Sequence, residues 1–180
     1  MNQPLVLVDI MKEIVESMQV PDPANEGEFL ALNYQPGRSP QILQMITTQS
    51  QSAEHKDFRY PLIGLLMPFR EPMGAGGSSA NTVVRVERIV IACLTDSNKS
   101  VLERYAEGET FKSILYPCYY ELLYRIANSL SVSGQDPAMF PHTKVDLPGN
   151  KPINAETNDI IDCIEILNLE IPLLQIKTCL

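Results

Sequence analysis

The run FKSILYPCYYELLYRIANSL, Phe111 to Leu130, constrains the fold more than any other stretch of the chain. At helical spacing one apolar stripe is Ile114, Cys118, Leu122, Ile126 and Leu130, and its neighbour is Leu115, Tyr119, Leu123 and Ala127. Two adjacent stripes make one broad buried face. Such a face needs a wide apolar partner, which a sheet provides. Pro117 stands inside the pattern, where it deletes a backbone hydrogen bond and crowds the preceding turn, so a bent or restarted helix is expected there. Tyr116, Tyr119, Tyr120 and Tyr124 straddle the border between that face and solvent. Amphipathic rings take such positions at subunit contacts, which makes these four candidate interface residues.

The rest of the chain supplies the sheet. LVLVDIMKEIVESM, from Leu5, places Leu7, Ile10, Met11, Ile14, Val15 and Met18 on one helical face, and Pro21 and Pro23 stop that helix. Residues 1–25 therefore read as a helix and its linker. Phe29 to Asn33 reads as a short extended piece, Pro36-Gly37 as a turn, and Ser39-Pro40 as the start of a helix running to about Thr48. FRYPLIGLL reads as a buried strand, and TVVRVERIVIACL as a long one whose first part, where Arg85 and Glu87 share a face, projects from the body and whose second part is buried.

Between those two strands, MPFREPMGAGGSSAN carries the turn-forming residues of a flexible connection over about residues 68–82. The two strands then form an antiparallel hairpin whose tip, including Met73, Gly74, Gly76 and Gly77, projects as a candidate interaction arm. Val132 to Glu156 reads as an irregular proline-containing loop with a short strand at Lys144 to Leu147. NDIIDCIEILNLEIPLLQIK ends the pattern as a long strand in which Pro172 marks a bend or an edge. The expected fold is one α+β domain over residues 1–180: a mostly antiparallel sheet packed on one side by a long amphipathic helix, with a projecting β-hairpin arm.

Reactive chemistry is sparse. GAGGSSA lacks the lysine and the following helix of a phosphate loop. His55 and His142 are the two histidines, and neither has a companion at metal-ligand spacing, so no metal and no cofactor are expected. Cys93, Cys118, Cys163 and Cys179 are widely spaced without a C-x-x-C pair, which points to reduced thiols in a cytosolic setting. Asp159, Asp162, Glu165 and Glu170 lie along the last strand, where alternation turns Asp162 away from Glu165. A solvated strand face is the plain reading of this cluster, and an acidic stripe lining a lumen the sharper one. Thr110 is expected to cap the helix that follows it, and Glu121 and Arg125 to pair at i,i+4.

A net charge of -8 argues against a surface that grips nucleic acid, because phosphate neutralisation needs surplus Lys and Arg. An acidic wall suits a conduit that DNA must traverse without sticking. No run approaches a membrane-spanning length, so a soluble protein without a membrane partner is expected.

LNYQPGRSPQILQMI, FRYPLIGLL, FKSILYPCYYELLYRIANS and NDIIDCIEILNLEIPL, in that order over roughly residues 28–172, resemble small structural proteins of phages and prophages of gut Bacteroidetes. These are head-tail junction proteins similar to tail terminators and neck connectors. The resemblance implies a virion protein, made in the host cytoplasm, that forms a homo-oligomeric ring of six or twelve copies. Such a ring would join tail-tube proteins to the portal or connector, with DNA passing through its lumen as cargo. No catalytic residue comes with that family. A small cytosolic ligand-binding module or enzyme of α+β type, with a pocket near His55 or His142, is the alternative.

Overall fold

The computed structural model describes residues 7–39, 42, 60–70, 81–96, 98–129, 140–149 and 160–174. The chain is α+β. Its sheet is mixed and five-stranded, in the order β1-β2-β3-β5-β4, with β1 Asn33–Gly37, β2 Leu62–Arg70, β3 Asn81–Leu94, β4 Thr143–Leu147 and β5 Ile161–Leu174. β1 runs parallel to β2, and the other three pairings are antiparallel. The helices are α1 (Leu7–Glu16), a single turn α2 (Val101–Arg104), and α3 (Tyr116–Asn128), which is preceded by a π-helical turn at Phe111–Leu115.

α1 buries Leu7, Ile10, Met11, Ile14 and Val15, so the apolar periodicity of its sequence is the face it packs. Over Phe111–Leu130 the helical run is two pieces, the restart expected at Pro117, with Leu130 outside the described residues. Pro117 explains the break. It has no N–H to return to the preceding turn, and the wider π turn, closed by Tyr116 N–H donating to Phe111 O, delivers the chain to α3 with the proline in its first turn. Thr110 is already helical at φ -47 and ψ -49 and makes no side-chain cap, so its expected role is not filled. The capping box sits at α2 instead, where Ser100 and Glu103 bond reciprocally.

One face of the sheet is roofed by α1, the π turn and α3. Its core joins Ile63 and Leu65 of β2, Val84, Val86, Ile89 and Ile91 of β3, and Ile164, Ile166, Leu169 and Ile171 of β5 to Met11, Phe111, Leu115, Leu122 and Ile126. Strict alternation cannot yield that set, since Val86 and Ile89 are three residues apart, as are Ile166 and Leu169. Both long strands change facing where Glu87 and Asn168 stand opposite each other, and Asn168 takes the left-handed φ of 55° that asparagine tolerates. Val84 and Val86 are fully buried, and β3 pairs with β5 out to Asn81↔Leu174. The first half of β3 therefore belongs to a multi-stranded sheet with a core face, and does not stand off the body as the sequence suggested. β2 continues through Pro68 to Arg70, and residues 71–80, the expected arm tip, lie outside the described residues.

Two further expectations meet the backbone. Pro36-Gly37 is part of β1, an edge strand where a missing N–H costs little, and not a turn. Pro172 lies within β5, whose pairing with β4 ends at Leu167. Glu170 N–H points to the β4 side, donating to Pro141 O, so by alternation Pro172 N faces that same side beyond the end of the β4 pairing. The helix expected from Ser39 to Thr48 falls almost wholly outside the described residues. Ile42, which is described, packs on the sheet's second face with Leu62, Leu66, Ala92 and Ile161.

Candidate functional site

Two of the four tyrosines singled out in the sequence, Tyr116 and Tyr119, meet β4 and the residue before it. Side chains spaced four apart on a helix fall in line, so Tyr116, Tyr120 and Tyr124 make a column along α3. Tyr116 at its base is held by the sheet: its hydroxyl donates to Asp146 Oδ2 at 2.8 Å, and Lys144 Nζ lies 4.3 Å from its ring centroid. Lys144 also pairs with Asp146 Oδ1 at 2.7 Å. Tyr119, one residue out of the column, points inward and is buried, its hydroxyl 2.6 Å from His142 Nε2, while His142 Nδ1 is 2.6 Å from Phe140 O. Because a carbonyl only accepts, Nδ1 carries the proton in neutral His142, and Tyr119 O–H donates to Nε2.

Burial, followed by the hydrogen bond to the Asp146 carboxylate, pushes the Tyr116 phenol up to about 12. Burial also raises Tyr119. Both rings are therefore neutral donors at ordinary pH. Outward from this anchored base the column opens to solvent, with Tyr120 64% and Tyr124 52% exposed. Two large exposed rings thus stand beside two that hydrogen bonds hold in place.

The acidic residues of β5 do not gather. Asp162 lies on the roofed face, fully buried, and bonds Arg104 Nη1 at 3.0 Å and Gly149 N–H at 2.8 Å. It cannot line a lumen, because no part of it reaches solvent. Glu165 and Glu170 share the opposite face, where Arg88 and Arg85 respectively pair with them. With Arg70 and Glu87 also paired, that face carries alternating charge across three strands in place of an acidic stripe. Asp159, Met73, Gly74, Gly76 and Gly77 lie outside the described residues.

The Arg104 and Asp162 pair, Lys144, and the Tyr119 to His142 bond went unforeseen in the sequence. Their partners are far apart in the chain, 58 residues for Arg104 and Asp162 and 23 for Tyr119 and His142. Glu121 and Arg125 pair as their spacing implies, at 2.6 Å, and Glu121 also accepts from Gln19 N–H, tying the end of α1 to α3.

Elsewhere, an open groove is lined by Arg38, Ser39, Met67, Pro68 and Phe69. Among the described residues no three His, Cys, Asp or Glu side chains gather as a metal ion would need. No described helix is long and apolar enough to cross a membrane. Cys93, Cys118 and Cys163 are free thiols. Neither a family model, nor a curated protein, nor a solved structure matches the chain.

Proposed function

We propose that this chain is a structural subunit that works by assembling with copies of itself, as a ring at the head-tail junction of a phage. In that setting it joins the tail tube to the capsid connector while DNA passes through. The tyrosine column of α3 carries this reading: Tyr116 is locked to Asp146 and Lys144, and Tyr120 and Tyr124 stand exposed in line with it. Aromatic residues that are held at one end and bare at the other supply contact area at low entropic cost. The net charge of -8 supports passage of DNA without adhesion, and the order of the four phrases that resemble head-tail junction proteins supplies the location.

Native mass spectrometry of the purified chain, alone and mixed with tail-tube protein, tests the proposal. Rings in either condition, and the chain's recovery in purified particles at the head-tail junction, are expected. A chain that stays monomeric in both mixtures and is absent from particles would refute it.

A further inference from the structure

β4 ends the sheet, and its outer side is an open edge among the described residues. The direction of its backbone groups follows from two hydrogen bonds. Thr95 N–H donates to Ile160 O, so the Ile160 carbonyl points to the β3 side. Successive residues of a strand alternate in direction, so Asp162, Ile164 and Ile166 also point to β3, while Cys163, Glu165 and Leu167 point to β4. Their β4 partners Leu147, Val145 and Thr143 point back to β5. Glu170 N–H donating to Pro141 O agrees from the far side of Asn168. The N–H and C=O groups of Lys144 and Asp146 are thereby left facing outward.

The sequence of this edge, TKVDL, inverts its charge pattern when read from the other end, with Lys144 and Asp146 placed symmetrically about Val145. We propose that β4 pairs antiparallel with β4 of a second copy about a two-fold axis at Val145. Lys144 of each copy then stands opposite Asp146 of the other, and the two residues exchange their outward N–H and C=O groups in both directions. Their side chains share one face, so the cross-copy pair is oppositely charged. A shift by one residue would set Lys144 against Val145 and lose both matches, so charge fixes the register. Pro148, also outward by alternation, has no N–H to offer and ends the seam.

The two-fold stands perpendicular to the sheet, so both copies carry α3 on the same side of a continuous sheet. Tyr116 is bonded to Asp146, which places the base of the tyrosine column over this seam. This contact is closed and isologous. It is independent of the ring proposed above, which needs a different, head-to-tail surface.

Single-cysteine variants test the register. At the two-fold, Val145 forms a pair whose backbone groups point away from the seam, with Cα atoms about 4.5 Å apart, within disulfide reach. Thr143 is four residues out of register with its own copy, on the order of 13 Å away. Under mild oxidation Val145→Cys should give covalent dimers, and Thr143→Cys no more than the parent chain. Sedimentation of the unmodified chain should show dimers that Lys144→Asp weakens at least about tenfold and that Lys144→Asp with Asp146→Lys restores. A parent chain without dimers at high micromolar concentration, equal crosslinking at positions 143 and 145, or a charge swap that fails to restore association would each overturn the seam. The ring reading would survive any of these outcomes if ring assembly persisted.

Discussion

Arg104 and Asp162 form an ion pair sealed inside the protein, their side chains 6% and 0% exposed, and Arg104 reaches further to donate to Lys99 O and Gly149 O. One guanidinium thus ties α2, the segment leaving β4 and the start of β5 together. Removing one partner of such a pair leaves a desolvated charge unanswered, which costs more than the pair contributes. Asp162→Ala should destabilise the protein by about 3–5 kcal/mol. Urea unfolding measures this, and a loss below 1 kcal/mol would show that the pair is not sealed from water.

Gly149 stands where no side chain fits. A Cβ there would lie 2.2 Å from Ile161 O, a contact with backbone that cannot swing aside. Gly149→Ala should lower stability by about 2 kcal/mol through displacement of the strap that bonds Asp162. Thermal melting of the variant beside Asp162→Ala checks the shared cause: the double variant should lose less than the sum of the two.

The two sides of α3 should respond oppositely to truncation. Leu122 and Ile126 are fully buried, and either change to Ala should cost about 2–5 kcal/mol. Tyr120→Ala and Tyr124→Ala remove exposed rings and should stay within about 0.5 kcal/mol of the parent while weakening assembly. Denaturation and native mass spectrometry on the same four variants separate the roles. Assembly unaffected by loss of both tyrosines would remove the column from the interface.

Cys93 and Cys118 should resist thiol reagents in the native state. Burial is the larger cause, joined at Cys93 by the charge of Asp162, and it pushes both thiols from near 9 up to about 12. The folded protein therefore holds these protons more tightly than the unfolded chain. The stabilisation is full below pH 9 and is lost as pH rises toward 12. Labelling at pH 8 should track global unfolding at both sites, and stability should fall steadily above pH 9. Rapid labelling of native Cys118 would contradict the packing of α3 on β3.

Some of this architecture was legible in the residues. The buried face of α1, the strand at β4 and the edge position of Pro172 follow from local pattern, because 3.6-residue and 2-residue periods, and a missing N–H, act within a few neighbours. The break at Pro117 was legible for the same reason. The sheet's core face was not. Reading β3 by alternation fails at Glu87, since the paired irregularity with Asn168 needs a partner strand about eighty residues away. The assignment of Pro36-Gly37 as a turn failed because β2, which pairs with those residues in parallel, is distant in sequence.

By itself the sequence determined that α1 and the Phe111 to Asn128 segment are helical with a break at Pro117, that β2, β3 and β5 are extended, and that the broad apolar face of the Phe111 to Asn128 segment must be covered. Only the tertiary structure decided that Asp162 is an interior anchor and Glu165 a surface ion-pair partner, and that the tyrosine column begins over β4, which ends the sheet among the described residues. Periodicity fixes which way a side chain points relative to its neighbours, whereas charge burial and edge exposure depend on which strands come to lie alongside.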